Sequence, residues 1–117
     1  MHFVKNSDEM IALFQAVAPT GPGIEQRKMF GSLCWFVNDN LGGGLHGEHD
    51  FLLRLSEPHR AELMQLGAEQ FDPMGGRPMK EYLVLPESIL ADRTALADWI
   101  DRSVKFVASL PEKSKKR

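Results

Sequence analysis

Residues 24–55 read IEQRKMFGSLCWFVNDNLGGGLHGEHDFLLRL. Ile24 to Phe30 is a strand candidate, closed by Gly31-Ser32. Leu33-Cys34-Trp35-Phe36-Val37 is apolar at every position, which predicts a strand covered on both faces. Asn38-Asp39-Asn40 is turn chemistry that tolerates positive φ, so the chain doubles back in a hairpin. Leu41 to Leu45 returns through three consecutive glycines. His46-Gly47-Glu48-His49-Asp50 predicts a second turn, and Phe51-Leu52-Leu53-Arg54-Leu55 closes a four-strand meander. Connections this short join antiparallel neighbours.

Upstream, Asn6-Ser7-Asp8-Glu9 has the form of a helix start, with Asn6 as the expected cap and Glu9 three residues on. Met10, Phe14 and Val17 then recur at helical spacing, until Pro19-Thr20-Gly21-Pro22-Gly23 ends the pattern. Downstream, Ser56 is the expected cap of a helix over about 57–66, stopped by Gly67. Gly75-Gly76 predicts a tight turn before a strand near 80–85, and Pro86 ends that strand. Glu87 to Ala91 reads as a short helical turn. Leu96, Trp99, Ile100, Val107 and Leu110 form one stripe on a last helix over about 94–110.

Strands and helices are segregated, not alternating, which predicts an α+β fold. The expected architecture is a central antiparallel sheet of about five to six strands flanked by helices. Its order is helix, four-strand meander, helix, one or two strands, C-terminal helix. Residues 1–112 read as a single domain and residues 113–117 as a basic disordered tail.

Composition narrows the class. With 43% hydrophobic and 26% charged residues, the chain is an ordinary soluble globular one. No apolar run approaches the ~18 residues of a membrane span. Met1 to Asn6 carries no apolar leader, so a cytoplasmic protein is expected. The single cysteine, Cys34, makes no internal disulfide and no Cys-based zinc cluster. The net charge of −2 hides an asymmetry. Four of the fourteen basic residues lie in 113–117, so residues 1–112 hold ten against sixteen acidic ones, a net of −6. An acidic body repels phosphate backbones, which leaves weak, salt-sensitive attraction through the tail as the expected reach toward nucleic acid.

Three segments together resemble the TfoX (Sxy) N-terminal domain family. The first is Arg27-Lys28-Met29-Phe30-Gly31 with the apolar strand and turn that follow. The second is Gly75-Gly76-Arg77-Pro78-Met79 with Tyr82-Leu83-Val84-Leu85-Pro86. The third is the closing helix with Leu96, Ala97 and Trp99, ending Ser109-Leu110-Pro111. Ser32 stands where a second glycine is common, and Asp72-Pro73-Met74 replaces the usual Asp-Phe-Thr. The resemblance implies an α+β domain of a bacterial cytoplasmic protein. Its best-known members regulate natural competence genes, acting through other proteins, and carry a second helical domain. This chain reads as a stand-alone member without that domain.

Several residues are candidates for chemistry. Met29, Phe30, Met74 and Met79 gather around the two family motifs and read as core filling, or as a small apolar pocket or protein-binding groove. Arg27 and Arg77 flank it. They read as internal ion pairs with Glu25, Asp72 and Glu81, or as an anion pocket through their bidentate forks. Gly31, Gly75 and Gly76 complete the candidate binding set. Gly42-Gly43-Gly44 lacks the pattern of a phosphate loop and reads as relief of crowding or a bulge. His46 and His49 are weak metal candidates. Their spacing on an extended turn splays them apart, which also suits a solvated hairpin tip. Cys34 reads as a buried small hydrophobe and His59 as a surface histidine.

No catalytic constellation is legible. The favoured reading is therefore a non-catalytic regulatory or protein-interaction domain without a cofactor. A partner protein is expected, and a homodimer is open because antiparallel sheets have edges that pair. A small-ligand or metal-binding protein or minor enzyme is one alternative. A nucleic-acid accessory protein acting through the tail is the other.

Overall fold

The computed structural model describes residues 5–29 and 31–112. Asn38 and Asp39 both take left-handed backbone, at φ 51° and 68°. That is the twist a two-residue hairpin needs. It joins β2 (Ser32–Val37) to β3 (Asn40–His46). β1 (Ile24–Met29) precedes them and β4 (Asp50–Arg54) completes the meander. α2 (Glu57–Gln65) then leads through β5 (Glu69–Gln70) to β6 (Tyr82–Val84). α3 (Glu87–Leu90) and α4 (Arg93–Ser109) close the chain, and α1 (Asp8–Val17) opens it. The six strands run in the order β1-β2-β3-β4-β6-β5, antiparallel throughout. The fold is α+β, as the segregated pattern predicts.

Strand pairing sorts side chains onto two faces. Ile24, Leu33, Trp35, Val37, Leu45, Phe51, Leu53 and Leu83 share one face with buried residues of all four helices. These include Phe14, Leu63, Ile89, Leu96, Trp99, Ile100 and Val107. Trp35 lies at the centre, its ring 5.9 Å from Phe14 and 6.2 Å from Phe51. The three glycines of β3 follow from it. A Cβ on Gly42 would lie 2.3 Å from the indole Nε1, and one on Gly43 2.7 Å from the ring. Only bare backbone fits beside this tryptophan. The close approach continues outward, where the buried Ser103 hydroxyl of α4 reaches the Arg54 carbonyl at 2.8 Å and the Gly42 carbonyl at 3.3 Å.

Some expectations are corrected. Ser7, not Asn6, caps α1, accepting from the Met10 N–H at 3.1 Å. Asn6 instead is buried and ties the chain start to the sheet. Its amide donates to the Gly47 carbonyl at 2.7 Å and the Ser32 hydroxyl at 3.1 Å. Ser32, a departure from the family pattern, thus supplies an oxygen that glycine lacks. Asp92 caps α4, so that helix begins at Arg93, one residue before the expected start near 94. Ser56 holds the cap position of α2 without a side-chain bond. His59 is half-buried against Trp99, 6.1 Å between rings, not a surface histidine. The apolar run of β2 is covered by helices on one face only, because every helix packs on the Trp35 side. The basic tail 113–117 and the leader reading of residues 1–4 lie outside the described residues. No helix among the described residues is long and apolar enough to cross a membrane.

Candidate functional site

The face of the sheet away from the helices carries Met29, Cys34, Phe36, Leu41, His46, Leu52, Arg54 and Tyr82. Part of this face is walled by the chain between β5 and β6. Asp72 folds that segment on itself, its carboxylate accepting the backbone N–H groups of Gly76 at 3.0 Å and Arg77 at 3.1 Å. Gln70 pins the far end, donating to the Met79 carbonyl at 2.8 Å and the Tyr82 carbonyl at 3.0 Å. Phe71, Pro73 and Met79 thereby stand over the sheet.

Between wall and sheet lies an apolar groove of about 400 Å³. Met29, Cys34, Leu52, Phe71, Met79 and Tyr82 are among the residues that line it. Gly44 deepens it. A side chain there would press on the Leu33 carbonyl at 2.5 Å, and its φ of 151° suits glycine alone. Met29 and Met79 are each 37% exposed, so the rim offers adaptable thioethers to solvent. His46 sits at the rim, its ring 4.9 Å from Phe71 and edge-on to it.

Two arginines lie on this face, each with its guanidinium over an aromatic ring. Arg27 stacks 4.2 Å above Phe36, and Arg54 lies 5.4 Å from the Tyr82 ring centre. Both are neutralised. Arg27 pairs with Glu25 and with Asp39 at 2.7 Å. Arg54 pairs with Glu81 at 2.8 Å and donates to the Leu41 carbonyl at 3.2 Å. Burial pushes the Tyr82 phenol above its ordinary range, and the Arg54 charge pulls partly the other way. Burial likewise pushes the Cys34 thiol up, against a smaller downward pull from Arg27. This thiol is held protonated, the opposite of what a nucleophile needs.

The structure brings Met29 and Met79 together in the groove lining. Gly31, Gly75, Gly76 and Arg77 stand outside that lining, in connecting loops, and Phe30 lies outside the described residues. Met74 is 75% exposed on the wall segment. The arginine sharing this face with Arg27 is Arg54, not Arg77. The alternation in Asp50-Phe51-Leu52-Leu53-Arg54 already sets Leu52 and Arg54 opposite Phe51 and Leu53. That signal was available, but only the pairing with β6 puts Tyr82 beside them. The two hairpin histidines part ways. His46 faces Asp50 at 3.9 Å and His49 faces Glu48 at 3.7 Å. Among the described residues no three metal-ligating side chains gather.

The family model of the TfoX N-terminal domain matches residues 15–107, which hold the sheet, the groove and most of the helical face. No curated protein matches the chain.

Proposed function

The chain belongs to the TfoX N-terminal domain family, and on that ground we propose that it is a non-catalytic, competence-regulator-like domain that binds another protein through its open sheet face. The observation that carries this reading is the groove itself. A partly exposed apolar cleft rimmed by two methionines suits an apolar segment of a partner, since thioethers adapt to varied shapes. The neutralised arginines and the protonated Cys34 support binding over chemistry. The family is not a known enzyme family.

The test is a defined complex. Wild-type protein is used to isolate a partner, which is then purified and titrated back. Substituting Met29→Glu and Met79→Glu together places two charges on the rim and should weaken that titration at least tenfold. The urea midpoint should hardly move, because both residues are partly exposed. Equal affinity in the double variant sinks the reading. A volume of about 400 Å³ also falls within the range of small-molecule sites. An apolar small ligand is therefore the second reading. Native mass spectrometry separates the two, since only a small ligand adds a fixed mass to the purified chain.

A further inference from the structure

The strand order leaves β1 at one edge of the sheet. It is six residues long, pairs with β2 without a bulge, and contains no proline. No strand among the described residues pairs with its outer side. Such an edge is a template for another strand.

We propose that the occupant is a second copy of this chain. Two β1 strands pair antiparallel about a two-fold axis through Gln26, extending one sheet from six strands to twelve. The register follows from symmetry and charge. A two-fold axis between antiparallel strands stands perpendicular to the sheet, so opposed side chains share a face and the axis passes through a residue. An axis through Arg27 sets that arginine against its own copy. An axis through Glu25 sets the two carboxylates together. Like charges directly opposed disfavour both. The axis through Gln26 sets Glu25 opposite the second copy's Arg27, twice, on the grooved face, so the pairs that each Arg27 makes with its own Glu25 and Asp39 join across the seam into a row of alternating sign. On the helical face it sets Ile24 opposite Lys28, whose aliphatic stem can lie along it.

The backbone agrees. Gly23 accepts from the Asn38 N–H at 2.8 Å, so alternation turns the peptide groups of Glu25, Arg27 and Met29 toward β2. Those of Gln26 and Lys28 point outward, with the carbonyl of Ile24. The Ile24 N–H is already used by Gly21 at 3.1 Å. In the proposed register the two Gln26 residues exchange a pair of bonds, and each Lys28 N–H donates to the Ile24 carbonyl across the seam. Glu25 and Arg27 then fall at the non-hydrogen-bonded position, where side chains come closest. Both grooves open on the same face of the joined sheet.

Sedimentation equilibrium tests the proposal. The wild-type chain should dimerise at micromolar concentration. Gln26→Pro removes an outward N–H and no bond to β2, a replacement edge strands tolerate. It should raise the dissociation constant at least tenfold. Arg27→Glu sets carboxylates against each other and should weaken association severalfold. Glu25→Arg combined with Arg27→Glu should restore it, which keeps the test alive if the proline variant fails to fold. A wild-type monomer at about 100 µM overturns the proposal, as does a double charge swap that associates no better than the single change.

Discussion

The two faces of one sheet are built from alternate residues of the same strands, yet they are finished differently. On the face of Trp35, Phe51, Leu53 and Leu83, every one of these side chains is fully buried beneath helices. On the other face Cys34 and Leu52 are buried at the groove floor, but Phe36, Leu41, Arg54 and Tyr82 stop half-buried, and cover comes from a folded loop and two arginines set over aromatic rings. The first face settles stability, since close-packed interiors respond to the loss of even one methylene. The second retains apolar surface where no helix takes it up. Residues one position apart in β2 therefore differ in what they do: Trp35 organises the core and Phe36 serves as a plate for Arg27.

That contrast can be broken most directly at β2. Trp35→Ala removes the ring that Gly42 and Gly43 are shaped around, and it should cost about 3–5 kcal/mol in urea unfolding. Phe36→Ala, one residue along, should cost about 1 kcal/mol, because solvent already reaches it. Equal losses would mean that the open face contributes to the core as fully as the helical face and that the two faces do not differ in role.

The next effect sharpens the boundary between the faces. Arg54 belongs to both, with its guanidinium on Tyr82 and its carbonyl bound to the buried Ser103 hydroxyl. Ser103→Ala leaves the Arg54 and Gly42 carbonyls without that donor and should cost about 1–2 kcal/mol in the same assay. Ser103→Thr keeps the hydroxyl and should recover part of it. A cost near zero would show that the hydroxyl does not hold α4 onto β3 and β4.

The helical face was largely legible in the sequence, because its signals are local. Asn38-Asp39 announces a left-handed turn, and Met10-Phe14 and Leu96-Trp99-Ile100 announce stripes. Ser103 was hidden because a serine inside an apolar stripe reads as a break, and only the third dimension supplies its carbonyls. The choice of Ser7 over Asn6 as cap was hidden for a related reason, since Asn6 is claimed by Ser32 and Gly47. The groove was legible only in part. Met29 and Met79 were candidates, but Leu52, Phe71 and Tyr82 join them through the β4–β6 pairing and the Asp72 turn. Those contacts link residues far apart in the chain and leave no periodic trace. The grouping of Arg27 with Arg77 rested on the two family motifs and did not foresee Arg54, because motifs far apart in the chain do not say which strand lies across a sheet.

The smallest expected effect bears on how dry the open face is at the groove floor. Cys34 is on that face, yet burial raises its thiol pKa despite the Arg27 charge nearby. At neutral pH the thiol is protonated in folded and unfolded chains alike, so it contributes nothing to pH dependence. As pH passes the ordinary thiol value, about 8.5, the unfolded chain ionises first and gains stability relative to the native state. Stability should then fall with rising pH and keep falling until the native thiol also ionises. Tyr82 adds a loss of the same sign at higher pH, since its pKa is raised too. Urea midpoints measured from pH 7 upward in wild type and Cys34→Ala separate the two. The variant should hold level through the thiol range and decline only where tyrosine titrates. If both proteins decline in parallel from the thiol range onward, water reaches Cys34 freely and the groove floor is as wet as its rim.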